Sequence, residues 1–134
     1  MFLNLLAEAN KERFIKLCGC AIYADGIVAD EEKELALAYC REMNVEQRVP
    51  DNSAILDDVL KELDEEATER EKNIIAFEIL GMFLSDNDYA KEEEVMMQEI
   101  VEGLHITKDK FNNMLSLLNI YKSVYDEICS TVVF

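Results

Sequence analysis

Basic residues are scarce in this chain. Its 134 residues include 13 Lys+Arg against 29 Asp+Glu, a net charge of −16, and the pI is near 4.3. Such an acidic surface argues against binding the phosphate backbone of nucleic acid, which needs Lys and Arg. It equally disfavours anionic membrane. Histidine occurs once, as His105, which leaves no His-pair metal site and no His-rich catalytic centre. There are four glycines, one proline and no tryptophan. Nothing among them resembles a phosphate-cradling glycine loop, a nucleophile elbow or a Rossmann turn. No apolar run approaches the roughly 18 residues of a membrane span. The apolar start Phe2-Leu3-Asn4-Leu5-Leu6 lacks a preceding basic region and is interrupted by Asn4 and Glu8, so it does not read as a signal peptide.

What is present is a globular composition, 50% hydrophobic, of a length that suits one domain over 1–134. The four cysteines, Cys18, Cys20, Cys40 and Cys129, form no C-x-x-C pair. Only His105 could complete a mixed site, so a structural zinc is not expected. Buried free thiols in a reducing cytoplasm are the expectation.

Helical periodicity dominates, and no run alternates with a period of two. The spacing predicts a first helix over about Asn4–Ala24, stopped by Asp25-Gly26, and a second over about Asp30–Met43 with Leu35, Ala38, Tyr39 and Met43 inward. Asn44 to Asn52 is a connector holding Pro50. Asn52 or Ser53 would cap a short third helix whose apolar face is Ile55, Leu56, Val59, Leu60 and Leu63. Thr68-Glu69-Arg70-Glu71 reads as a capping box opening a fourth helix to about Leu84, with Ile75, Ile79, Met82 and Phe83 in the core. A fifth helix spans about Lys91–Leu104, and His105 marks its end. The last runs from about Lys108 to Cys129, with Phe111, Met114, Leu115, Leu118, Tyr121, Val124, Tyr125 and Ile128 as its stripe. The tail Thr131-Val132-Val133-Phe134 is β-prone.

The chain also repeats itself. From Asp25 to Asp86 is a shift of 61 residues, and at that shift Ala29 falls on Ala90, Glu31 on Glu92, Glu32 on Glu93, Met43 on Leu104 and Val45 on Ile106. Each copy reads helix, tight loop with Asp, then a helix opening on paired Glu. The expected architecture is all-α: a compact bundle of six to seven helices. It is built from two pseudo-symmetric three-helix units, about 4–65 and 68–130, as a duplication within one domain.

The stretch Cys20-Ala21-Ile22-Tyr23-Ala24-Asp25-Gly26-Ile27-Val28-Ala29-Asp30-Glu31-Glu32 resembles the signature of the TerB-like (tellurite-resistance TerB) superfamily. That signature has an Ala-rich helix end, Asp-Gly, a Val two residues after the Gly, and Glu seven residues after the Asp. The superfamily includes a domain of membrane-bound DnaJ-like co-chaperones. Asp86 and Glu93 match the second copy. The chain departs from the pattern at Ala29 and Ala90, where a capping residue is usual, and at Asn87, which replaces the second Gly. The resemblance implies an all-helical domain of about seven helices, associated with stress-response or envelope-associated systems; the residues themselves offer no evident nucleophile, base or cofactor box, so a non-enzymatic role is the expectation. The resemblance also implies that the motif carboxylates bind a cation.

The residues themselves admit two readings. Asp25 with Glu32, and Asp86 with Glu93, could offer oxygen ligands to a hard divalent cation such as calcium, magnesium or manganese, with Asp88 and loop carbonyls adding to them. They are not EF-hands, because the twelfth positions are Ala36 and Met97. Alternatively, the Glu of each pair satisfies the first-turn amides of a helix, and the Asp bonds the amides after it. A metal-free adaptor is the competing function. The acidic run Asp57 to Glu71 could steer a basic protein partner. Met96, Met97 and Met114 could line an adaptable groove or simply fill the core. Glu102-x-x-His105 has di-iron spacing but no second copy. Cys18 and Cys40 lack a neighbouring His base.

Overall fold

Six α-helices account for most of the described chain: α1 Glu8–Ile22, α2 Asp30–Met43, α3 Leu56–Glu66, α4 Glu69–Leu84, α5 Lys91–Gly103 and α6 Lys108–Ile128. The computed structural model describes residues 1–26, 28–85 and 89–134. No strand occurs among them, and no helix among them is long and apolar enough to cross a membrane. The all-α expectation holds.

The helices form where apolar side chains recur every three or four residues and where the ends are chemically closed. Thr68 caps α4 as the sequence suggests. Its hydroxyl accepts the Glu71 N–H at 3.1 Å, and the Glu71 carboxylate accepts the Thr68 N–H at 3.0 Å. Thr107 caps α6 through the Lys110 N–H. α2 and α5 close alike. Asn44 and His105 both take φ 57. Val45 N–H then returns to the Cys40 carbonyl and Ile106 N–H to the Val101 carbonyl, each at 3.0 Å. This is the Schellman closure, here made without glycine.

α1 packs on α2 and α3, and α4 packs on α5 and α6. Contacts of α1 with α4 and of α3 with α5 join the two halves. One core runs through Phe14, Leu17, Leu63, Ile75, Phe83 and Met97, each fully buried. Each such side chain contributes roughly 1.5–3 kcal/mol of burial free energy. Met96, Met97 and Met114 are all buried, so core filling accounts for them. Close approach replaces bulk at two glycines. A Cβ on Gly19 would stand 2.5 Å from the Asp51 carbonyl oxygen, and one on Gly103 would stand 3.0 Å from Leu60.

Several expectations are corrected. α1 starts at Glu8, not near Asn4. A separate 3-10 turn, Leu3–Leu5, precedes it, because the Ala7 N–H is taken by Glu71 across the fold at 2.8 Å. α3 starts at Leu56 with no side-chain cap, since Ser53 turns back onto Asp51 instead. Ile55 is therefore 63% exposed and lies off the apolar face. In α2, Ala36 and Cys40 are buried beside Tyr39 and Met43, while Leu35 and Ala38 are only half-buried. The tail is not extended: Cys129–Val133 winds into a π-helical turn. The largest correction concerns α6, whose stripe is buried only at Phe111 and Met114.

Candidate functional site

The four carboxylates singled out in the sequence stand as follows. Asp25 lies half-buried in the turn after α1, where Gly26 takes φ 76 and its N–H returns to the Tyr23 carbonyl at 3.2 Å. Glu32 and Glu93 are buried at the third position of α2 and α5. Asp86 lies outside the described residues, as do Asn87 and Asp88. Glu93 Oε1 accepts the Ala90 N–H at 2.9 Å. Ala90 has no side-chain acceptor, so only the glutamate's half of a capping box is made.

Among the described residues four glutamates are buried, and three of them (Glu32, Glu71 and Glu93) hold the third position of a helix. There, orphan amides and the positive end of the helix dipole compensate a carboxylate without water. Glu71 shows the full version. Besides Thr68 it takes the Ala7 N–H and the Asn10 side-chain amide, the latter at 3.1 Å. Burial by itself would raise its pKa, but these donors outweigh burial and hold it below the usual glutamate value. The fourth, Glu78, receives the Met1 α-ammonium and the Phe2 N–H. Beside the second motif, Tyr89 stacks on Phe83. Burial, then Glu94 and Glu93, push its phenol up to about 12. Among the described residues no three His, Cys, Asp or Glu side chains gather as metal ligands.

The other sequence candidates take structural places. His105 ends α5, and its ring meets Asp64 at 2.9 Å, on the same carboxylate oxygen that takes Lys72 at 2.8 Å. Lys72 first, and His105 second, hold Asp64 below the usual aspartate value. All four cysteines are free thiols. Burial, then Cys40, Glu78 and Cys20, push the Cys18 thiol well up, which is the reverse of what a nucleophile needs.

A different surface stands out. Between Lys110 and Lys122 the chain has no charged residue, although 31% of the chain is charged. The first half of α6 seats on α4 through Phe111 and Met114, with Leu115 and Leu118 half-buried beside them. Lys122 Nζ then donates to the Leu84 carbonyl at 3.1 Å, closing the end of α4. Among the described residues little covers another side of α6. Leu117, Ile120, Tyr121, Val124 and Ile128 each keep between 50% and 61% of their surface exposed. At about 100° per residue these five fall on one side of the helix, adjacent to the side that meets α4. Tyr121 stacks on Tyr125 with ring centroids 6.2 Å apart. A cleft of about 260 Å³ opens between α6 and the end of α4, with Gly81, Leu84 and Leu118 in its wall.

Periodicity alone reads this stripe as core, because a helix's apolar side has the same spacing whether or not another element covers it. Two signals in the sequence mark it. One is the uncharged run itself. The other is that its polar positions are Asn112, Asn113, Ser116, Asn119 and Ser123, in place of the charged residues found elsewhere. The length of the helix is a third sign: α6, with 21 residues, is longer than any other described helix.

No family model, curated protein or solved structure matches the chain.

Proposed function

We propose that this protein is a non-enzymatic interaction module, in which an acidic helical body holds α6 and α6 meets a protein partner. The supporting observation is the apolar face of α6, where five large side chains on one side are at least half exposed. Water is a poor neighbour for such a continuous stripe, and stripes of this kind mark contact surfaces. The body's charge would keep acidic surfaces off the body itself, so that contact is confined to the uncharged face of α6. The experiment is site-specific photo-crosslinking in cells, with a photoreactive residue at Ile120 and, as control, at the exposed Glu46 on the body. The expected result is a discrete adduct from position 120 alone. Adducts from neither position, or equally from both, would count against the reading.

A second reading comes from the TerB resemblance: a cation held by Asp25, Glu32, Asp86 and Glu93 in a stress-response role. What favours it is the matched placement of Glu32 and Glu93, both buried at the same position of their helices. In that reading the two hairpins are copies of one ancestral unit. Thermal melts with calcium, magnesium and manganese test it, because a bound ion raises stability by linkage. An unshifted wild type, or the same shift in Asp25→Ala and Asp86→Ala, removes the site.

A further inference from the structure

We infer that the occupant of the α6 face is a second copy of this chain, the two α6 helices pairing antiparallel about Val124. This rests on the reading of α6 as an interaction surface and names its partner.

Charge distribution is the first reason. From Phe111 to Phe134 the charged side chains are Lys122, Asp126 and Glu127, a net of −1. The other −15 of the total −16 lies on residues 1–110. A chain this acidic can meet itself only through a surface that carries almost no charge, since like charges set face to face cost several kcal/mol. The α6 face is such a surface. A basic partner would be drawn to the body, where the anions are, and would gain nothing from an uncharged stripe.

Geometry is the second. Val124 lies roughly 20 Å along the helix from the buried anchor Phe111, at 1.5 Å per residue. Antiparallel pairing about Val124 therefore sets the two Phe111 anchors about 40 Å apart, on opposite ends of the seam. Where the body comes nearest the middle of the seam, at Leu84 beside Lys122, it lies on a different side of α6 from the stripe. Leu117, Tyr121, Val124 and Ile128 follow one another at intervals of four, three and four, the spacing with which two helices interlock.

Size and composition agree. The five side chains of this face, each at least half exposed, offer on the order of 500 Å² per copy, the size of the smaller, weaker class of interface. Interface centres are depleted in charge and enriched in tyrosine, as this one is.

The test uses the full chain. Sedimentation velocity over a range of micromolar concentrations should show a species of twice the 15.4 kDa chain mass. Raising the salt should leave it intact or strengthen it, because the bodies' repulsion is screened. Ile120→Lys combined with Val124→Lys should weaken association by roughly a hundredfold or more, as expected for residues central to an interface. Both positions are exposed, so circular dichroism should stay that of the wild type, and Tm should match the wild type's at concentrations low enough for the wild type to be monomeric. Orientation is read by disulfide trapping in a Cys129→Ser background. Val124→Cys should link two chains, and Leu117→Cys should not. Equal linking by both would mean parallel helices and overturn the antiparallel seam. A monomer at every concentration, or a dimer that survives both lysines, overturns the proposal. If the chain is monomeric but crosslinks from position 120 to a different protein, only the second copy is lost. If no adduct forms at all, the interaction surface is lost with it.

Discussion

Asn44 and His105 stand at matching places at the ends of α2 and α5, each after the last helical turn and each at φ 57. Both pass the chain into an apolar residue, Val45 or Ile106, whose N–H closes the helix behind it. The left-handed conformation costs a side-chain-bearing residue free energy that glycine does not lose. Asn44→Gly should therefore raise stability by about 0.5–1 kcal/mol. His105→Gly should gain less or nothing, because it also removes the contact with Asp64. Urea melts of the two variants side by side check the difference. Equal gains would show that the His105–Asp64 contact contributes nothing.

Glu71 makes stability depend on acid. Its folded pKa lies below the unfolded value, so its contribution is full above the unfolded glutamate pKa near 4.3 and is lost as pH falls through the lower folded value. Glu71→Gln places an amide donor where N–H groups converge, and should cost about 1–3 kcal/mol at neutral pH. Melting temperature against pH is the measurement. The variant should lose less stability than the wild type between neutral pH and pH 3, and parallel curves would contradict the assignment.

Two glycines in helices should respond in opposite directions to alanine. Gly19→Ala drives a Cβ to 2.5 Å from the Asp51 carbonyl oxygen, which is backbone and cannot step aside cheaply. A loss of about 1–3 kcal/mol is expected. At Gly81 the nearest atom, on Leu118, is 3.9 Å away, an ordinary contact. Gly81→Ala should stabilise by up to about 1 kcal/mol, through the lower entropy cost of an alanine in a helix. Chemical denaturation distinguishes them, and a shared sign would contradict the packing of the connector on α1.

Tyr89 should ionise at higher pH than an ordinary phenol. Its pKa is pushed up to about 12 by burial and by Glu94 and Glu93. The folded state thus holds this proton more tightly than the unfolded chain. Its contribution to stability is full below the unfolded value near 10 and falls as pH rises toward 12. Ultraviolet difference titration of the wild type against Tyr89→Phe should show the missing phenol ionising late. A missing component near pH 10 would refute the burial of this ring.

The folding signals differ in how far they reach along the chain. The Thr68–Glu71 box, the ends of α2 and the start and end of α4 are written in residues within a few positions of one another, so spacing and capping chemistry suffice to find them. The start of α1 is different. Whether residues 3–7 continue the helix is decided by Glu71, 64 positions away, which takes the Ala7 N–H. The start of α3 depends on the connector lying against α1 at Gly19. For the candidate site, the sequence marks Asp25, Glu32, Asp86 and Glu93 as a repeated pair, and a repeated pair reads the same whether the glutamate caps a helix or meets an ion.

By itself, then, the sequence determined that the chain is helical, where most helices begin and end, and that it is strongly acidic. These follow from neighbours in the chain: side-chain spacing, end-capping groups and the count of charges. Only the tertiary structure decided which apolar stripes are covered. Val59, Leu60 and Leu63 of α3 and Leu117, Tyr121 and Val124 of α6 have comparable spacing and hydrophobicity, yet the first set is buried and the second is open to water. Periodicity shows that a helix has an apolar side. Burial requires another element to lie against that side, and along the outer half of α6 the described residues supply the end of α4, on a different side, through Lys122 and Leu84.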